Sequence, residues 1–156
     1  MVLPPLWRKA TLTVHVASSV GWIGAVGAFL AVALAAGPSG GTFAALEAIG
    51  RFALVPLSVA ALLTGIVQAL GTVWGLVRHY WVLAKLAITL LAAAVLMIYM
   101  PTLTELRRMA ESPAAQDVSA ASPILHASAA LAVLLIALGL SVFKPKGPTG
   151  LGARRP

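Results

Sequence analysis

Four long apolar stretches, approximately residues 10–36, 52–77, 79–100 and 123–143, constrain this chain more than any other feature of it. Crossing the hydrocarbon core of a bilayer takes about 20 apolar residues, and each stretch reaches that length. All four are too long for a buried strand. Inside lipid a segment has no water for its backbone N–H and C=O groups, so each is predicted to be a helix. The expected fold is all-α, a four-transmembrane-helix up-down-up-down bundle in the cell (plasma) membrane. Residues 1–143 form its single membrane domain. With 60% hydrophobic and only 10% charged residues, the composition excludes an ordinary soluble domain. The first stretch follows Arg8 and Lys9 and ends near Ala33-Leu34-Ala35, as a signal peptide does. Its apolar run far exceeds the roughly 7–15 residues of a signal h-region, and it reads as a retained helix.

The polar connections give the direction of each span. The first runs from Gly37 to Gly41 and leads into a short amphipathic stretch ending at Glu47 and Arg51. A tight turn around Arg78 follows, and then a long connection from Pro101 to Pro123. Residues 144–156, rich in Gly, Pro, Lys and Arg, read as a basic, disordered tail. Four spans put both termini on one side. That side holds Arg8, Lys9, Arg78, Lys144, Lys146, Arg154 and Arg155. The other holds Arg51, Arg107 and Arg108 together with all the acids, Glu47, Glu105, Glu111 and Asp117. Basic loops stay cytoplasmic, so both termini are expected in the cytoplasm. The net charge of +7 then reads as topology signal and contact with anionic lipid headgroups, and not as a nucleic-acid surface. Trp7, Tyr80 and Trp81 fit a cytoplasmic aromatic belt, and Tyr99 an outer one.

Lys85 is the one fully charged side chain inside a span. A charge at that depth costs several kcal/mol unless it snorkels or finds a partner, so it marks a functional site. At 1.5 Å per helical residue, His15 and Lys85 both lie about 10 Å from the cytoplasmic edge. On the same scale Thr72 lies about 9 Å and Gln68 about 15 Å from that edge. His15, Ser18, Ser19 and Trp22 form one stripe, as do Thr64, Gln68 and Thr72, and Trp81, Lys85 and Thr89. Polar stripes turn away from lipid, which predicts an inner-leaflet pocket of His15, Lys85, Gln68 and Thr72 flanked by Trp22 and Trp81. His126 lies about 27 Å from the cytoplasmic edge, level with Ser58 and Tyr99, and reads as a separate outer site. Each pattern also has a plainer explanation. Lys85 can snorkel to the headgroups. His15 can be a packing residue with one hydrogen bond across the bundle, and Gln68 and the threonines can be interhelical glue. His79, between Arg78 and Tyr80, reads as interfacial. Gly21, Gly24, Gly27 and the Gly71-x-x-x-Gly75 pair allow close helix approach, or leave room for a flat ligand such as a porphyrin.

Several chemistries are excluded. Without cysteine there is no disulfide, thiolate metal site or cysteine nucleophile. No acid lies within a span, so no carboxylate dyad operates there. The sequence contains no metalloprotease motif, phosphate loop or nucleophile elbow, which favours a non-catalytic protein. Met1, Met97, Met100 and Met109 form no ligand ladder across the membrane, which disfavours copper transport.

The run His15-Val-Ala-Ser-Ser-Val-Gly-Trp22-Ile-Gly24 resembles the opening of CopD-type copper-resistance proteins. It also resembles a related family of small four-helix bacterial membrane proteins, common in actinobacteria, to which no function is assigned. The segment from Leu70 through Trp74, His79, Trp81 and Lys85 to Leu86 is similar to that second family. A more distant likeness is to HemJ, the membrane protoporphyrinogen oxidase, through His15 and the Trp81-x-x-x-Lys85-Leu86 context. Ala28, Phe29 and Leu30 stand where HemJ has basic and histidine positions, and the histidine late in its third helix is missing. The resemblance implies haem b with His15 as axial ligand to the iron; by depth along the helices, Lys85 and His79 are the groups that could supply a second axial ligand at that height. Three readings follow: a non-catalytic protein holding haem b or a similar ligand, a membrane oxidoreductase acting on porphyrin or quinone, and an accessory subunit packed against a membrane-protein partner or a second copy of itself.

The directions of the spans are directly testable, because the chain has no cysteine of its own. In inside-out vesicles, an impermeant maleimide should label Val2→Cys and spare Ser112→Cys, and right-side-out vesicles should reverse this. Equal labelling of both from one side would refute the assigned directions.

Overall fold

The structure is a computed structural model and describes residues 4–71, 76–112, 118–145, 147 and 149. Among them it is all-helical, with no strand. Four helices are long and apolar enough to cross a membrane: α1 (Pro5–Ala35), α2 (Gly40–Gly71), α3 (Tyr80–Glu111) and α4 (Ala121–Phe143). Leu6, Phe52, Ile98 and Phe143 are 77–84% exposed. A water-soluble protein does not present apolar surface on that scale, and the chain is built as a multi-pass membrane protein.

Each helix packs on two neighbours: α1 on α2 and α4, and α3 on α2 and α4. The two diagonals make no close backbone approach among the described residues. Side chains must fill the centre, or leave it open. In α1 the buried set Ser18, Trp22, Val26, Phe29 and Ala33 recurs every three or four residues, the spacing of one helix face. Its aromatic members join Phe43, Leu46, Leu54 and Leu103 in the core. Gly21 lies where a Cβ would stand 3.3 Å from a Leu57 methyl, so its lack of a side chain lets α1 and α2 approach.

Both prolines inside helices are accommodated. In α2 a π turn at Gly50–Leu54 has the Val55 N–H reaching back to the Gly50 carbonyl. This wide turn immediately precedes Pro56, whose ring would crowd the carbonyl four residues back and which has no N–H to donate. The helix of the third apolar stretch does not stop at residue 100, and passes through Pro101 to Glu111. The extension carries exposed charge pairs at helical spacing, Arg107–Glu111 at 3.0 Å and Arg108–Glu105 at 2.9 Å. Much of the expected loop of residues 101–123 is therefore helix. The second stretch was expected to run to residue 77; α2 is described as far as Gly71, 72–75 lie outside the described residues, and Leu76 and Val77 are not helical. Gly147 and Thr149 of the tail have defined positions. The Gly147 carbonyl accepts from the Tyr80 N–H, and the Thr149 N–H donates to the Arg78 carbonyl.

Glu47 ties α2 to the extension of α3. Its side chain is 8% exposed and accepts from Thr104 at 2.9 Å, Arg107 at 3.1 Å and Arg51 at 3.0 Å. Arg51 and Arg107 remain about half exposed, so each can rehydrate when the carboxylate is removed. Glu47→Ala should lower stability by about 1–2 kcal/mol, the range for lost hydrogen bonds to a charged group close to solvent. Glu105→Ala, at an exposed pair, should leave the detergent melting curve unchanged. Equal shifts for both variants would contradict this assignment.

Candidate functional site

The unfilled centre of the bundle holds a cavity of about 660 Å³. All four helices contribute to its wall: His15 from α1, Gln68 from α2, Lys85 from α3 and Leu134 from α4. Trp22, Trp81, Ser19 and Thr89 line it as well, and Arg8, Lys9 and Lys144 stand at one end. Five of the residues expected in the inner pocket thus share one cavity: His15, Lys85, Gln68, Trp22 and Trp81. Trp81 faces the cavity half-buried, whereas Trp7 and Tyr80 are 64% and 62% exposed. Thr72 lies outside the described residues. His79 precedes α3 with its ring 6.4 Å from that of Trp81, and it does not line the cavity.

His15 is held by one of its two nitrogens. Nδ1 lies 3.1 Å from the Ala61 carbonyl oxygen and 3.1 Å from Thr64 Oγ1. A carbonyl only accepts, so Nδ1 carries the proton. Nε2 is then the unprotonated nitrogen, and no hydrogen bond engages it among the described residues. An N–H···O=C bond of this kind fixes the tautomer and ring orientation of a ligating histidine. Thr64 is satisfied by its own helix, donating to the Ala60 and Ala61 carbonyls. The ring fits because residue 65 is glycine: a Cβ there would stand 3.1 Å from His15 Cε1. Lys85 lines the same cavity. Ser18, from the same stripe as His15, is buried and returns its hydroxyl to the Val14 and His15 carbonyls.

A second cavity of about 180 Å³ lies further along α1, α3 and α4, and Trp22 lines both. Its wall is almost wholly apolar, with Val26, Phe29, Val95 and Leu103 among its members. Tyr99 and His126 line it with their rings stacked, 4.0 Å between centroids. Tyr99 is 8% exposed and bonds Ser122 Oγ at 2.9 Å, so it is not the outer belt residue expected from sequence. His126 Nδ1 donates to the Ser122 carbonyl at 2.9 Å. Ser58 is fully buried, donates to Val55, and does not line this cavity. The separate outer site thus brings Tyr99 and His126 together without Ser58.

Among the described residues no group of three or more His, Cys, Asp or Glu side chains could hold a metal ion. Gly65 and the Ala61 carbonyl escaped the sequence reading. The only hint was positional: Gly65 stands next to Thr64, within the polar stripe of α2. No family model, curated protein or solved structure matches the chain.

Histidine labelled with 15N should show one resonance pair for His15 with Nδ1 protonated and Nε2 bare. Gly65→Val should push the ring off Ala61 and replace that pair with averaged tautomer signals. An unprotonated Nδ1 in the unsubstituted protein would contradict the geometry.

Proposed function

We propose that this chain is a non-catalytic membrane protein that binds haem b, or a similar flat amphipathic ligand, in its larger cavity. The observation that carries the reading is His15, with Nδ1 committed to the Ala61 carbonyl and Nε2 left for a ligand. The residues present fit such a group. The two tryptophans, Trp22 and Trp81, offer flat apolar walls, and Arg8, Lys9 and Lys144 lie where acidic ring substituents would emerge. Haem, when bound, supplies a redox-active iron. The chain's part is to present one imidazole nitrogen, hold its tautomer, and surround the ring with hydrocarbon that excludes water.

The bundle is read as up-down-up-down. Support comes from neighbours whose numbers rise on one helix and fall on the next. His15 meets Gly65 while Gly21 meets Leu57, and Gly40 meets Glu111 while Gly50 meets Met100. The excess of basic residues at the termini and at Arg78 supports reading that end of the bundle as cytoplasmic, in a plasma-membrane protein. Arg8, Lys9 and Lys144 then open the larger cavity toward the cytoplasmic leaflet.

Haem titrated into the detergent-purified protein should produce a Soret band with one ligand per chain. His15→Ala should weaken that binding at least tenfold, about 1.4 kcal/mol or more. His126→Ala should leave it unchanged. A Soret band of equal strength in His15→Ala would overturn the assignment of His15.

A further inference from the structure

The larger cavity has donors and cations but no acid. Lys85 and Gln68 line its interior, Arg8 and Lys9 line its end, and no Asp or Glu is among its lining residues. Gln68 Nε2 is buried and has no hydrogen-bond partner among the described residues. Lys85 forms no ion pair or hydrogen bond through its ammonium among the described residues. Glu47, Glu105 and Glu111 are each paired with arginine elsewhere. A buried amide N–H and an ammonium within a membrane domain both need an acceptor, and each is costly without one. No acceptor among the described residues serves either group, and an occupant that carries one would satisfy both.

We infer that the ligand of this cavity is an amphipathic oxyanion, whose oxygen atoms accept from Lys85 Nζ and, once the Gln68 amide turns toward the cavity, from its Nε2. The inference rests on the binding reading above and names the ligand's recognised group. Lys85 is then a specificity residue for the anion and not a second ligand to the iron. A carboxylate on the ring system and the phosphate of an anionic lipid share this chemistry, and both are negatively charged, oxygen-rich and attached to an apolar body. The cationic end of the cavity at Arg8 and Lys9 favours entry of either one.

The test uses the full chain in nanodiscs of zwitterionic lipid, titrated with haem b and with haem b dimethyl ester. The acid should bind at least tenfold more tightly than the ester. Lys85→Met and Gln68→Leu should each bring the two affinities together, with the Soret position unchanged, and Lys85→Arg should restore the preference. In parallel, native mass spectrometry from discs containing phosphatidylglycerol and phosphatidylcholine reads lipid retention in the same variants. Retention of phosphatidylglycerol that is lost in Lys85→Met would identify lipid phosphate as the oxyanion, even if acid and ester haem bind alike. Such retention without any haem binding would sink the haem reading and leave the oxyanion inference standing. If the acid and the ester bind alike and no anionic lipid is retained through Lys85, the inference is wrong. A change of spin state in Lys85→Met would make Lys85 an iron ligand and overturn it as well.

Discussion

A backbone carbonyl in a membrane helix already accepts one amide hydrogen four residues on, and its second lone pair has no water to turn to. At Ala61 that lone pair accepts from His15 of a neighbouring helix. The contact does two things at once. It joins α1 to α2 at the level of the polar layer, and it decides which imidazole nitrogen keeps its proton. The other polar features of the cavity follow from its position. Gly65 is open where the ring lies, Thr64 turns back to its own helix, and Gln68, one turn further on, faces the space the ring leaves.

The bundle's layout explains why there is space at all. Helices that pack on two neighbours and not across the diagonal leave a central volume that large side chains normally close. Toward Phe43, Leu46 and Leu103 it is closed, by side chains less than 2% exposed. At His15 and Lys85 it is open, with polar groups set among apolar side chains such as Ile23, Leu86 and Leu134. Trp22 stands between the larger cavity and the smaller, apolar one. The interior is therefore graded from cations at one end, through amide, imidazole and ammonium, to hydrocarbon. That gradient matches an amphipathic ligand better than an ion or a sugar.

Much of this was legible in the sequence. Apolar runs of span length leave helix as the only backbone solution in lipid, and a three-to-four-residue spacing was enough to bring His15, Gln68, Trp81 and Lys85 to one cavity. The acceptor for His15 was not legible, because any residue supplies a carbonyl and Ala61 has no distinguishing side chain. The extension of α3 was hidden by Pro101, which reads as a stop although the helix continues beyond it and buries Leu103. Tyr99 was misplaced for a related reason: an aromatic residue near a span end suits a membrane belt, and only its partners Ser122 and His126 reveal that it turns inward. The role of Glu47 depends on Thr104 and Arg107, which are remote in sequence and brought near by that same unexpected extension.

The central claim is that the cavity at His15 is a ligand site and not a packing defect. The most direct measurement is an absorption spectrum of the protein purified in detergent from haem-replete cells, first oxidised and then reduced with dithionite. The account predicts a Soret band at near-stoichiometric haem, with α and β bands that sharpen on reduction. A featureless spectrum from fully folded protein would contradict it, and would return His15 to the role of a packing residue hydrogen-bonded across the bundle.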